Sequence, residues 1–225
     1  MKKFKIMQEN SLVEEKAEKE DDVDRYISEA AKLRGHLCLG LPLGVKMGRL
    51  GLRLLHMEDE TSRDNLMVVV ENNKCPVDGI QVTTGCTAGS RRLKILDHGK
   101  SAAVFYDGNS GVGFRVTTRP DFLYQALRLA IKDGIVKEGE RVEEFSQVER
   151  RIMMNAFTKM SEDELLESHR VRVCGKAPLL PKIATPRVNC SRCGEEIMDG
   201  KGFKKNDAIV CDSCLYGSYF VSLDP

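Results

Sequence analysis

The chain contains no tryptophan, and aromatic residues make up only 6% of its 225 residues. It also lacks an excess of charge of either sign, since 35 lysines and arginines are matched by 34 aspartates and glutamates, for a formal net charge of +1. Such a balance gives no general electrostatic attraction to nucleic acid or to a membrane surface. We therefore do not expect a nucleic-acid-binding protein.

Long hydrophobic runs are also missing. The strongest run, LMVVV at residues 66–70, is strand-sized and far short of the roughly 20 apolar residues of a membrane helix. Residues 1–20 carry lysines with no apolar segment behind them, which is not a secretory pattern, and we interpret them as a charged lead-in. We expect a cytoplasmic protein with no membrane partner, whose eight cysteines are thiols or metal ligands rather than disulfides.

Hydrophobic periodicity predicts a mixture of helices and strands over residues 21–176. Gly35 is placed to end the first helix, and Pro76 is placed to open a later one. Three of the seven prolines fall in the segment 177–187, which we interpret as a linker to a small domain at 188–225. In chain order the predicted elements are helices at 23–33 and 40–55, a strand at 66–71, a helix at 76–84, strands at 92–96, 102–107 and 112–117, helices after Pro120, at 143–160 and after Ser161, and a strand at 171–174.

The helix at 40–55 is rich in glycine. Gly40, Gly44 and Gly48 are four residues apart and lie on one side of it. Each glycine inside a helix costs about 1 kcal/mol relative to alanine. The usual compensation is the close approach of another backbone, either in the same core or across a dimer interface.

Four cysteines in the small C-terminal domain have the spacing of a structural zinc site. They form two Cys-x-x-Cys pairs separated by 17 residues, namely Cys190, Cys193, Cys211 and Cys214. The roughly 35 residues of this domain are too few to bury an adequate core, and a bound metal would supply the missing stability. A hairpin turn at Gly200–Gly202 and a helix beginning near Leu215 would give the order of a treble-clef finger, with a plain zinc ribbon as the alternative. A closed four-thiolate site does no chemistry, so the finger is expected to stabilise or to dock.

The larger domain offers a second group of potential ligands. Cys38 precedes a predicted helix and Cys75 precedes Pro76, so each thiol lies at the positive end of a helix and is expected to have a lowered pKa. Cys86 lies in a glycine-flanked turn with the same expectation. His36 could add an imidazole to these thiolates, a donor set that suits zinc, iron or copper. The alternative, for any one of these cysteines, is a small buried hydrophobe.

Four segments occur in order within residues 25–175: GHLCLGLPLG, CPVDGIQVTTGCTAGS, HGKSAAVFYD and GVGFRV. Together they resemble the family named for the E subunit of formylmethanofuran dehydrogenase. Its pattern has a His-x-Cys ahead of a glycine-rich helix, then Cys-x-x-Asp leading to Gly-Cys-Thr-x-Gly, then Gly-Lys before a strand. Several members also carry a C-terminal four-cysteine zinc finger. The family often has a histidine and a proline where this chain has Arg34 and Leu39, so one potential ligand is missing.

The resemblance implies an α+β core somewhat like thioredoxin, with a mixed five-stranded sheet flanked by helices, and a homodimer. It also implies a functional site at His36, Cys38, Cys75 and Asp78, able to hold a second zinc or another transition metal besides the zinc of the finger. Asp78, one turn after Cys75, would serve as an oxygen ligand or orient one. Members are associated with molybdenum or tungsten formylmethanofuran dehydrogenase, which fixes carbon dioxide in methanogenesis.

Two hypotheses about function follow from these features. In the first, the core site has a one-carbon or redox role linked to that dehydrogenase. In the second, the chain is a non-catalytic accessory or docking subunit of a larger dehydrogenase. The chain has no visible molybdopterin or iron–sulfur pattern, so it is not expected to carry out the dehydrogenase reaction alone.

Overall fold

The computed structural model describes residues 22–122, 127–128, 131, 146–174 and 187–223. The chain divides into two compact units, the first ending at Leu180 and the second beginning at Pro181. The predicted lead-in, most of the helix after Pro120 and nearly all of the predicted linker lie outside the described residues.

The first unit is built on one five-stranded sheet, with the strand order β2-β1-β3-β4-β5. β1 and β2 are parallel and the other neighbours are antiparallel, which confirms the predicted mixed sheet. The predicted last strand was placed too late, because β5 is a polar edge strand, LESHRVR, without clear hydrophobic alternation. The strands are β1 (Leu66–Val70), β2 (Leu93–Ile95), β3 (Ala102–Asp107), β4 (Val112–Thr118) and β5 (Leu166–Arg172).

Helices follow the predicted positions closely. The two short polar connections before the later helices are capping boxes, in which Ser146 pairs with Glu149 and Ser161 pairs with Glu164. The helices of the first unit are α1 (residues 22–34), α2 (Gly40–Leu54), α3 (Pro76–Thr84), α4 (Gln147–Lys159) and α5 (Glu162–Leu165), with a 3-10 turn at Glu60–Ser62.

The main core lies between one face of the sheet and the helices. All five residues of β1 are buried, and alternate ones contact opposite faces. Leu66, Val68 and Val70 join the cluster that contains residues of α2, α3 and α4. Met67 and Val69 form a smaller cluster with Tyr106 on the other face. Strand β1, buried on both faces, therefore holds the centre of the unit.

The glycines of α2 lie against α3 of the same chain. A Cβ atom at Gly44 would be 2.0 Å from the carbonyl oxygen of Pro76, and one at Gly48 would be 2.9 Å from Cβ of Thr83. The contact is reciprocal, because a Cβ atom at Gly79 would be 2.7 Å from the carbonyl oxygen of Leu41. Of the two expected neighbours, the one in the same core is the one found, and these glycines do not face a dimer interface.

The second unit consists of two small hairpins and a short helix. The strands are β6 (Val188–Asn189), β7 (Glu196–Ile197), β8 (Phe203–Lys205) and β9 (Ala208–Val210), and α6 spans Asp212–Tyr216. This is the predicted order of knuckle, hairpin and helix. The hairpin turn itself was wrongly placed at Gly200: the β8–β9 turn is formed by Asn206 and Asp207, whose φ angles of 49° and 63° suit Asn and Asp.

No helix in the described parts of the chain is both long enough and apolar enough to cross a membrane.

The glycine contact predicts a large effect of a single methyl group. Gly44→Ala should gain about 1 kcal/mol from helix propensity but lose more, because Cβ would overlap the backbone of Pro76 and overpacking costs about 1–3 kcal/mol or more. Urea unfolding should therefore show a clear net loss of stability. Gly89→Ala is the matched control, since no atom lies within 4 Å of the place that its methyl group would occupy. Equal stability of the two variants would contradict the α2–α3 contact.

Candidate functional site

Two helix beginnings meet at the centre of the core site. Gly35 ends α1 with a φ of +87°, and the chain then turns through residues 36–38 into α2. Cys75 immediately precedes α3. A Cβ atom at residue 40 would be 2.7 Å from Cβ of Cys75, so Gly40 is what allows the two segments to approach. Cys38 and Cys75, 37 positions apart in the sequence, are thereby brought together.

The thiols of Cys38 and Cys75 interact directly. Burial and the neighbouring Cys75 raise the pKa of Cys38 to about 11, although the backbone N–H of Gly40 donates to its sulfur and favours the thiolate. The prediction of a lowered pKa for Cys38 was therefore wrong. The helix N-terminus contributes as expected, but loss of water and a second thiol outweigh it.

Cys86 is not part of this site. Its side chain is fully buried among the main core residues, and its sulfur donates to the carbonyl oxygen of Leu66 at 3.5 Å. Burial raises the pKa of Cys86, so the predicted activated thiol was wrong here too. The alternative, a small buried hydrophobe, is the one found.

Asp78 is held in an ion pair. Nη1 of Arg34 lies 2.9 Å from Oδ2 of Asp78, and both side chains are largely shielded from solvent. The bond to Asp78 raises the pKa of Arg34, and the nearby sulfurs of Cys75 and Cys38 act in the same direction. The residue that departs from the family pattern therefore occupies the aspartate of the Cys-x-x-Asp motif.

A pocket of about 570 Å³ opens beside the two thiols. His36 lies on its wall, as the sequence predicted, and is exposed. Sequence reasoning missed Arg151 and Met154, one helical turn apart on α4. Their spacing of three was the only available signal, and nothing local connected α4 with the motifs. The described residues around the pocket are His36, Leu37, Cys38, Leu39, Gly40, Cys75, Arg151 and Met154.

The four C-terminal cysteines form a compact ligand cluster. All four sulfur atoms lie within 4.8 Å of one another, and those of Cys193 and Cys211 are 3.8 Å apart. Four sulfurs placed tetrahedrally at about 2.3 Å from a zinc ion would be separated by about 3.8 Å. The cluster therefore fits a tetrahedral metal. In the described part of the chain it is the only group of three or more His, Cys, Asp or Glu ligand atoms gathered in this way, and the core residues do not meet that condition.

The backbone of the finger prepares one thiolate. N–H groups of Cys193 and Cys211 donate to the sulfur of Cys190 and lower its pKa to about 6. Hydrogen bonding to Cys211, together with burial, raises the pKa of Cys214 to about 12. Gly194 supports the knuckle with a φ of +78°, and its N–H bonds to the carbonyl oxygen of Cys190 at 2.9 Å. Without a metal, the cluster holds one stabilised thiolate among protonated neighbours.

Comparison with other proteins identifies relatives of the whole arrangement. A protein of Archaeoglobus fulgidus, described as a probable S-adenosyl-L-methionine-binding protein, is 29% identical over 219 residues, which are 92% of this chain and 56% of that protein. The chain thus spans little more than half the length of this curated relative. A solved structure, described as a tungsten formylmethanofuran dehydrogenase FmdE-like protein from Syntrophus aciditrophicus, matches with a TM-score of 0.61 and 22% identity. That match covers 88% of this chain and 95% of the other and shows a shared fold.

The family match covers the part of the chain that contains the core site. The model of the FmdE family, described as molybdenum formylmethanofuran dehydrogenase operon, matches residues 33–167. This range contains His36, Cys38, Cys75 and Asp78, together with strands β1 to β4 and the beginning of β5. The chain belongs to the FmdE family.

Proposed function

We propose that this chain is a zinc-binding member of the FmdE family with two distinct cysteine sites. The finger would hold a structural zinc, and the core pocket would be the functional site. The observation that carries the second part is the meeting of Cys38 and Cys75 beside an open pocket, where two soft donors face space large enough for a small ligand.

The core donor set suits a transition metal in its chemistry. Two thiols and the imidazole of His36 would supply three ligands and leave a fourth position toward the pocket. A metal bound there would act as a Lewis acid on a small one-carbon or acyl ligand, or support a redox step. His36 is exposed and would have to turn toward the sulfurs, because the three ligand atoms are not gathered as in the finger. Asp78 is assigned to Arg34 and would stay outside this set.

The family name supports a role linked to formylmethanofuran dehydrogenase. We propose that the chain acts together with such an enzyme, as a cytoplasmic homodimer.

An accessory, non-catalytic role is the second candidate, and one observation in the second unit favours it. The last described residues form an exposed apolar segment, with Tyr219 98% and Leu223 95% exposed. Exposed apolar segments of this kind are typical of protein contact sites. In this hypothesis the finger docks a larger enzyme. Recovery of a molybdenum or tungsten enzyme by the Cys38→Ser variant as well as by the wild type would favour docking over core chemistry.

Metal content tests the core site. Wild-type protein should bind about two metal ions per chain, and the Cys38→Ser, Cys75→Ser double variant should keep about one, because the four finger cysteines are intact. Inductively coupled plasma mass spectrometry gives the stoichiometry. Cys174→Ser is the control, because Cys174 is exposed and lies outside both sites. The core metal is refuted by a double variant that retains the full wild-type metal content.

Arg34 is expected to limit metal binding in the core. Arg34→His would supply an extra imidazole and free Asp78, and metal affinity should rise by about 10-fold or more. Arg34→Ala, which frees Asp78 without adding a ligand, separates the two contributions. Competition titration with a chromophoric chelator measures the change. If neither variant differs from the wild type in core affinity, Arg34 has no part in setting it.

Zinc uptake by the finger should release protons. At pH 7 the thiol of Cys190 is largely ionised, but those of Cys193 and Cys214, whose pKa values are raised, must lose their protons to bind zinc. Affinity should therefore fall steeply as the pH decreases toward 6. Calorimetric titration in buffers of different ionisation enthalpy counts the protons released. A binding enthalpy that is independent of the buffer would contradict this assignment.

A further inference from the structure

We propose that the core pocket binds a small monocarboxylate ligand and that Arg151 selects it by charge. The proposal rests on the proposed function in one respect, the placement of the functional site at this pocket. It adds the class of ligand and names a residue that no motif of the family pattern contains.

The charges around the pocket are of one kind. The described residues that line it include no aspartate or glutamate, and Arg151 is their one permanently charged group. Arg151 is exposed, and within the described residues it makes no hydrogen bond or ion pair. Arg34, the other nearby guanidinium, is neutralised by Asp78. A guanidinium without a carboxylate partner, over an otherwise uncharged wall, favours an anion.

The helix termini add to the same potential. α2 begins at the pocket with no acidic residue in its first turn and no side-chain cap. α3 begins at Cys75, also without a side-chain cap, and Arg34 already pairs with the one acidic residue of its first turn. The positive ends of both helices are thus left uncompensated by carboxylates, and each contributes roughly half a positive charge.

The rest of the lining decides between kinds of anion. Leu37, Leu39 and Met154 present apolar surface, and Leu37 remains 54% exposed. A single available guanidinium matches a ligand with one negative charge. A phosphate monoester would bring nearly two, and the unmatched charge would be held against apolar side chains at a considerable cost. A short aliphatic carboxylate fits both the charge and the surface, with its tail against these three residues.

The charge selectivity of thiol alkylation tests the proposal directly. Iodoacetate and iodoacetamide have nearly the same size and react with the same sulfur, but only iodoacetate carries a carboxylate. The ratio of their rates at Cys38 therefore cancels the exposure and ionisation of the thiol and reports how the pocket receives the charge. Full-length protein is treated with a chelator to remove metal from the thiols, and modification is quantified peptide by peptide by mass spectrometry. The ratio is normalised to that of free cysteine.

The normalised ratio should exceed that of free cysteine in the wild type and fall by about 3- to 10-fold in Arg151→Gln. Arg151→Lys, which keeps the charge, should retain most of the ratio. Arg170→Gln is the matched control, because it removes the same charge from an exposed position on β5 that does not line the pocket. Since Arg151 is exposed, its substitution should not unfold the protein. The assignment is overturned if Arg151→Gln changes the ratio no more than Arg170→Gln does.

Protection by unreactive ligands identifies the class of anion. Butyrate should slow the alkylation of Cys38 by iodoacetamide, the isosteric amide butyramide should not, and the difference should disappear in Arg151→Gln. Equal protection by butyrate and butyramide in the wild type, or stronger protection by inorganic phosphate, would overturn the monocarboxylate. These rates are read in metal-depleted protein, whereas the proposed core metal is judged by metal content, so the two hypotheses can fail separately.

Discussion

The backbone contact between α2 and α3 is the constraint on which the core site depends. Gly44 and Gly79 let the two helices approach until main-chain atoms touch, which no larger residue would permit. Because Cys38 and Cys75 lie at the beginnings of these two helices, their separation follows from the helix packing. Neither sulfur is on a free loop, and the site is therefore preorganised by the core itself.

Arg34 changes the character of that site. A histidine at this position would offer another metal ligand, whereas the guanidinium binds Asp78 and stands near both thiols. The carboxylate is thereby removed from the set of free ligands and its charge is cancelled. What remains beside the pocket is a pair of thiols, an exposed imidazole and the guanidinium of Arg151. The electrostatic balance is shifted toward an anionic ligand.

The two cysteine groups illustrate two ways in which a protein uses sulfur. In the finger, backbone N–H groups point at Cys190 and lower its pKa to about 6, which favours a thiolate ready for a metal. In the core, burial and the second thiol raise the pKa of Cys38 to about 11. The finger is a closed set of four ligands, which suits a structural role. The core pair is incomplete and opens on a pocket, which suits binding and exchange.

The sequence by itself determined the elements of this protein and the zinc-finger ligands. Helix and strand patterns are local, and two Cys-x-x-Cys turns each aim their sulfurs by local geometry, so spacing alone was sufficient to predict the cluster. It also indicated that Gly40, Gly44 and Gly48 needed a close neighbour. Only the tertiary structure decided that this neighbour is α3, that Cys86 is core and that Arg34 holds Asp78. It also brought Arg151, more than a hundred residues away, to the thiols. These outcomes depend on burial and on contacts between distant segments, which are set by the packing of the whole core.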